Sequence, residues 1–257
     1  MRKILAIARF TLLEAARSRL SWLVLGSIAV LVLASLLVRE LAITDSQRLQ
    51  LSFLASALRL TSALLTAAYI ISSLQREFND KVPTLLLALD LPRSHFVLGK
   101  ALGLSLTALL IALACAAPLA ALAPAAAWWP WTVSLLLETA IVAAVSLFCG
   151  ISLRSVTAGL LLTFGFYVLA KSLAAIQLIS HASLNAATLS QSYMTGLLDT
   201  LALLLPRLDQ FAPTAWLVNG LVDGIESAGL AGLALQALIF VALVTSAAMF
   251  DLYRKNL

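Results

Sequence analysis

Six long apolar stretches dominate this chain and leave few folds open to it. They lie at roughly 20–38, 53–74, 101–123, 131–150, 157–179 and 230–250. Each is close to the roughly 20 residues that a helix needs to cross a bilayer. Hydrophobic residues make up 62% of the 257 residues and charged residues only 11%, against about 25% charged in a soluble domain. The sequence therefore predicts an all-α membrane protein with six transmembrane helices in a single domain, 1–257.

The basic residues predict which ends of these spans face the cytoplasm. If the N-terminus is inside, twelve of the 17 Lys and Arg residues lie in inner segments: Arg2, Lys3, Arg9, Arg17, Arg19, Arg76, Lys81, Arg93, Lys100, Arg154, Arg254 and Lys255. Because inner segments of membrane proteins are enriched in Lys and Arg, we expect both termini to be cytoplasmic. This topology accounts for the net charge of +5, so no nucleic-acid partner is expected.

Two segments outside the spans are predicted to be helical. Residues 1–19 combine five cations with a modest apolar side, which favours a helix lying in the inner interface over a simple basic flank of the first span. The outer loop 180–229 is long for a connection without structure of its own. We expect it to form short helices that pack at the outer surface or dip part-way into the membrane.

The polar stretch 75–100 between spans two and three is the most distinctive loop of the chain. It carries seven charged residues around a leucine-rich turn, Leu85 to Leu89, which Pro83 and Pro92 enclose. Such a turn suits docking onto another subunit, with leucines supplying contact area and flanking charges setting the register. The alternative is that the turn only packs on the inner ends of the bundle.

Motifs for catalysis or metal binding are not found in this sequence. It contains no GxxxxGK[ST], HExxH or GxSxG pattern, which would indicate nucleotide, zinc or serine-hydrolase chemistry. Cys115 and Cys149 lie inside apolar runs without a CxxC spacing, so we interpret both as small core residues. The chain is expected to be no enzyme and to bind no metal or cofactor by itself.

Three charged residues interrupt the spans: Arg59, Glu138 and Lys171. From the predicted span limits each lies roughly 7–12 Å inside the outer boundary, at 1.5 Å per residue. Charges at this depth are costly and face a partner or a cavity. The favoured interpretation is a structural pair of Glu138 with Lys171 or Arg59. The alternative is that the cations line an outer vestibule that meets an anionic head group.

The order of motifs from Arg76 onward resembles that of type-2 ABC exporter permeases. Arg76-Glu77, the turn Leu85-Leu86-Leu87-Ala88-Leu89, Pro92-Arg93 and Gly99-Lys100 are similar to the loop after the second span in the subgroup that includes the permease of nitrous-oxide-reductase copper-site maturation. Ala8-Arg9 with Glu14 and the segment 205–211 also resemble parts of that family. The chain departs from it at Asp80 to Thr84, where many relatives have Gly-Thr.

This resemblance implies a bacterial inner-membrane transporter of two permease chains and two ATPase subunits. The ATPase subunits would bind ATP and Mg²⁺, and membrane lipids would surround the permeases. The implied docking residues on this chain are Glu77, Leu85, Leu86, Leu89 and Arg93. Two other classes stay open: an ion-coupled secondary transporter, and a membrane component of an assembly complex that transports nothing.

Overall fold

The computed structural model describes residues 2–42, 45–80, 93–153, 155–182, 200, 205–206, 208–209, 211 and 227–254. All regular secondary structure in these residues is helical. The helices are α1 Arg2–Arg17, α2 Leu20–Leu41, α3 Ser46–Asn79, α4 Arg93–Leu122, α5 Ala125–Ser152, α6 Val156–Ala182 and α7 Ser227–Arg254. The predicted turn Leu85 to Leu89 and most of the loop 180–229 lie outside the described residues.

The prediction of six spanning helices is confirmed, because α2 to α7 each contain a stretch long and apolar enough to cross a membrane. The helices extend beyond the predicted span limits. Helix α3 begins at Ser46 and ends at Asn79, and α5 begins at Ala125. Backbone hydrogen bonding continues into the polar flanks of a span, so hydropathy alone places helix ends too far inside.

Helix α5 is the centre of the bundle. Its most apolar window is 78% buried, against 11% for the windows of α2 and α7. It contacts α3, α4, α6 and α7, and its buried side chains include Trp131, Leu135 and Ile141. Helices α2 and α7 therefore present most of their apolar surface outward, as lipid-facing helices do.

Helix α1 packs closely on the first turns of α4. A Cβ at Gly99 would lie 2.8 Å from Cβ of Ile7, and one at Gly103 would lie 2.9 Å from the carbonyl oxygen of Ala8. These distances are shorter than real Cβ contacts, so only glycine allows this approach. Thr11, on the same side of α1, is fully buried.

The described part of the connection between α6 and α7 enters the bundle. Leu208 and Phe211 are fully buried, and they pack with residues of α3, α5, α6 and α7, such as Tyr167 and Ala237.

The bundle has two ends. We call the end near the α2–α3 connection the α2–α3 end, and the opposite end, near the α3–α4 connection, the α3–α4 end.

Candidate functional site

The three charged residues of the predicted spans meet at one place. Arg59 of α3 forms an ion pair with Oε2 of Glu138 of α5 through Nη1. The same nitrogen donates a hydrogen bond to the carbonyl oxygen of Phe211 at 2.7 Å, and Nη2 donates to Oγ of Ser134 at 3.0 Å. The guanidinium also lies over the ring of Trp131, 4.9 Å from its centroid. These contacts compensate a cation whose residue is only 4% exposed.

The second oxygen of Glu138 accepts two further hydrogen bonds. Tyr167 Oη donates to Oε1 at 2.9 Å, and Lys171 Nζ donates to the same atom at 2.8 Å. Both oxygens of this 1%-exposed carboxylate are thus satisfied, which a buried anion requires. Both cations contact one carboxylate, so the alternatives of a pair with Lys171 or with Arg59 are both realised. We call these residues, with Ser134, Tyr167 and the Phe211 carbonyl, the charge cluster.

Two members of the charge cluster were missed from the sequence, although their spacing could have indicated them. Ser134 and Glu138 are four residues apart on α5, and Tyr167 and Lys171 are four apart on α6. Such pairs share one helix face, so a search for polar neighbours of each buried charge finds them. No local pattern could have indicated the carbonyl of Phe211.

The charge cluster lies near the middle of helix α5. Glu138 is 13 residues after Ala125 and 14 before Ser152, or about 20 Å from each end of α5 at 1.5 Å per residue. This distance is measured from the helix ends, which extend beyond the predicted spans, so the predicted depth of roughly 7–12 Å inside the outer boundary stays a prediction. A charged residue inside an apolar helix usually either pairs with another helix and holds the two together, or lines a substrate or ion pathway.

A cavity of about 540 Å³ opens beside the charge cluster, between α3 and α6. Its lining residues are Ser56, Arg59, Leu60, Tyr167, Val168, Lys171 and Ser172. The side chain of Lys171 is 29% exposed, whereas that of Arg59 is 4% exposed. Lys171 is therefore the charged group of the cluster that a molecule in this cavity can reach.

A second polar network lies at the α3–α4 end. Glu77 of α3 and Lys100 of α4 form a buried ion pair. Gln75 Nε2 donates hydrogen bonds to the carbonyl oxygens of Gly150, at 3.1 Å, and Leu153, at 2.5 Å. These carbonyls belong to the last turn of α5 and its C-cap, where backbone acceptors lack partners inside the helix. The network joins α3, α4 and α5; we call it the root network.

The structure describes the side chain of one predicted docking residue, Glu77, and leaves those of the others outside the described residues. Glu77 is 7% exposed and contacts Lys100 through Oε1, so its carboxylate joins two helices of this chain and is not presented at the surface. Leu85, Leu86 and Leu89 lie outside the described residues. Arg93 begins α4, but its side chain is outside them too.

An exposed ion pair adds α1 to the α3–α4 end. Arg76 of α3 contacts Glu14 of α1. The Arg76 side chain is 61% exposed, so the pair contributes about 0–1 kcal/mol at most. Helix α1 is thus held at this end by its close packing on α4 at Gly99 and Gly103 and, weakly, by this pair.

No protein-family model and no curated protein matches the chain. Among the described residues, no group of three or more His, Cys, Asp or Glu could hold a metal ion. Cys115 and Cys149 are buried free thiols. In the part of the chain that the structure describes, the charge cluster and the root network are the candidate functional sites that we consider.

Proposed function

We propose that this chain is the membrane-spanning permease subunit of an ATP-driven exporter of the type-2 ABC class, located in a bacterial inner membrane. It would act with a second permease chain, and separate ATPase subunits would bind ATP and Mg²⁺. The proposal is supported by six apolar helices and by the order of motifs from Arg76 to Lys100, which resembles that family.

The observation that carries the proposal is the root network at the base of the 80–92 connection. The helices on both sides of this loop are joined by a buried ion pair, Glu77 with Lys100, and α3 is bonded to the end of α5 through Gln75. Helix α1 packs on α4 at Gly99 and Gly103. A force on the loop is therefore transmitted to four helices together, as a coupling loop requires.

The burial of Glu77 changes the docking role that the resemblance implied for it. We assign the ATPase contact to Leu85, Leu86, Leu89 and Arg93, and we assign Glu77 to holding the base of the loop. A buried ion pair that loses one partner leaves an uncompensated charge and costs about 3–5 kcal/mol. Losing Glu77 would thus loosen the loop without removing any contact with the ATPase.

In this proposal α1 lies in the inner membrane interface. One side packs on α4 through Ala8 and Thr11, while Leu5 and Phe10 are 71% and 69% exposed. An exposed apolar side flanked by cations such as Arg9 is typical of helices that lie among lipid head groups. Lipid contact at α1 would then resist tilting of the helices that it braces.

Affinity purification of the full chain from its native membrane tests the proposal. We expect an ATPase subunit to copurify with the wild type and to be lost from Leu86→Asp, because a charge in an apolar contact is costly to bury. Leu49→Asp is the matched control, since Leu49 is 51% exposed near the start of α3, away from the loop. If no nucleotide-binding protein copurifies, or if Leu86→Asp retains it, the proposal fails.

The charge cluster favours a second candidate, an ion-coupled secondary transporter. Buried Glu, Lys and Tyr side chains in hydrogen-bond contact near the middle of the helices are the groups used in proton relays. Substrate movement driven by an imposed pH gradient in vesicles without ATP would support this candidate over the first. A non-transporting assembly component would show neither this movement nor ATPase activity that a substrate stimulates.

A further inference from the structure

We propose that the groove between α3 and α6 binds an anionic phospholipid, with its phosphate at Lys171 and an acyl chain along the groove. This site goes beyond the permease function and does not depend on an ATPase partner. Three independent features carry it: the charge of the cluster, the cavity at Lys171, and an apolar cavity beside it.

The charge cluster has more positive than negative charge. Arg59 and Lys171 contribute two positive charges, and Glu138 contributes one negative charge. Arg59 has its contacts inside the bundle, with Glu138, Ser134 and Phe211. Lys171 has three N–H donors, and its hydrogen bond among the described residues goes to one atom, Oε1 of Glu138. Lys171 is therefore the cation with donors left for an anion in the cavity.

A second, apolar cavity lies beside the cavity at Lys171, on its α3–α4 side. This second cavity of about 390 Å³ shares Tyr167 with the first and is lined by Ala63, Leu64, Leu65, Ala67, Ala68, Val142, Leu160, Leu161, Thr163 and Phe164. Ala68 is 12 residues after Ser56 on α3, so the two cavities extend over about 18 Å of this helix. That length exceeds half of a bilayer core of about 30 Å, so the two cavities together are long enough to hold much of an acyl chain.

The shape and polarity of the groove match an amphiphile. Its polar part, with Lys171, Ser56 and Ser172, lies toward the α2–α3 end. Its apolar part is bordered by Leu64 and Phe164, both 42% exposed, so an acyl chain can enter sideways from the membrane. Basic pockets between transmembrane helices bind lipid head groups in this way. A free phosphate ion would leave the apolar part empty.

The charge of Asp209 allows a second test of whether anion binding at Lys171 depends on charge. Asp209 is half-buried, forms no ion pair with Lys171 within 4.0 Å, and is the weakest of the charged groups that act on Lys171, after Glu138 and Arg59. Asp209 thus reduces the attraction of the site for an anion without occupying Lys171. Removing its charge should strengthen anion binding, whereas removing the charge of Lys171 should weaken it.

Native mass spectrometry of the detergent-solubilised full chain tests this site with phosphatidylglycerol, phosphatidylcholine and inorganic phosphate as probes. We expect phosphatidylglycerol to bind more tightly than phosphatidylcholine, and inorganic phosphate not to displace it. Lys171→Gln should weaken phosphatidylglycerol binding about tenfold or more, the factor for one lost hydrogen bond to a charged group. Asp209→Asn should strengthen it, by less than Lys171→Gln weakens it, because it removes a negative charge that acts only weakly on the site.

Two further variants test whether the lipid binds in the groove or is only attracted to cations anywhere on the chain. Ala68→Phe should fill the apolar part and weaken binding of the lipid. Arg48→Gln is the matched control, because it removes an exposed cation near the start of α3, outside the groove, and should leave binding unchanged. If Lys171→Gln does not fold, Asp209→Asn and Ala68→Phe still decide the question.

Several results would contradict lipid binding in this groove. Equal binding of the two lipids, or no response to Asp209→Asn and Ala68→Phe, would overturn the proposal. Competition by inorganic phosphate would indicate a free-anion site. Efficient disulfide formation between two copies carrying Leu161→Cys would show that a second copy of the chain covers the groove, which also excludes the lipid.

Discussion

The charge cluster makes a graded prediction about stability, because its two ion pairs differ in burial. The Arg59 and Glu138 side chains are 4% and 1% exposed, whereas Lys171 is 29% exposed. Removing one partner of a fully buried pair costs about 3–5 kcal/mol, since the other charge stays uncompensated. Lys171 can turn its ammonium group toward water or head groups, so its pair with Glu138 should couple by about 1 kcal/mol or less.

Two double-mutant cycles measure these energies, one with Arg59→Gln and Glu138→Gln, the other with Lys171→Gln and Glu138→Gln. The assay is reversible unfolding of the purified chain in mixed micelles, followed by circular dichroism. Glu138→Gln alone should lower the free energy of unfolding by about 3–5 kcal/mol. This is a large part of the total, which is roughly 5–15 kcal/mol for a typical folded protein. The double variant with Arg59→Gln should recover part of this loss, because no buried charge of that pair remains.

Glu14→Gln is the control for this experiment, because it removes an ion pair whose Arg76 side chain is 61% exposed. Its cost should be at most about 1 kcal/mol. The reasoning is refuted if the Arg59–Glu138 coupling is below about 1 kcal/mol, or if the Lys171–Glu138 coupling equals or exceeds it. Either result would mean that exposure does not decide the strength of charge pairing in this bundle.

Three further predictions concern the α3–α4 end. Gly103→Ala should destabilise the chain by about 1–3 kcal/mol in thermal unfolding, because the new methyl group overlaps α1. Gly26→Ala is the control: Gly26 has open space around it, so this change should be neutral or stabilising by up to about 1 kcal/mol. Gln75→Leu should cost about 1–3 kcal/mol in the same assay, since two carbonyl oxygens of α5 lose their donor, and an unchanged stability would remove Gln75 from the root network. In a Cys-free background, Asn79→Cys should resist an impermeant thiol reagent added to intact cells while Arg48→Cys reacts; labelling of Asn79→Cys would reverse the predicted topology.

Much of the fold was predictable because spanning helices are local features. A stretch of about 20 apolar residues forms a helix in a membrane whatever the rest of the chain does, since backbone groups in lipid must bond within the segment. The six spans were therefore found from composition and length. Their ends were predicted less well, because helices such as α3 continue into polar residues that a hydropathy limit excludes.

The candidate sites were predictable only in part, because they join residues far apart in the chain. Arg59, Glu138 and Lys171 were recognisable as unusual, since each is a charge in an apolar stretch. Glu77 was interpreted as a docking residue, whereas its burial against Lys100 gives it a role within this chain. The contact of the 80–92 loop with an ATPase stays a prediction.

By itself the sequence determined that this chain has six helices long and apolar enough to span a membrane, and which charges within them must find a partner. Only the tertiary structure decided which partner each charge has, and that the Phe211 carbonyl completes the shell of Arg59. The physical reason is that hydropathy acts along each helix separately. Contacts between helices depend instead on their relative rotation and register, which the packing of all of them determines together.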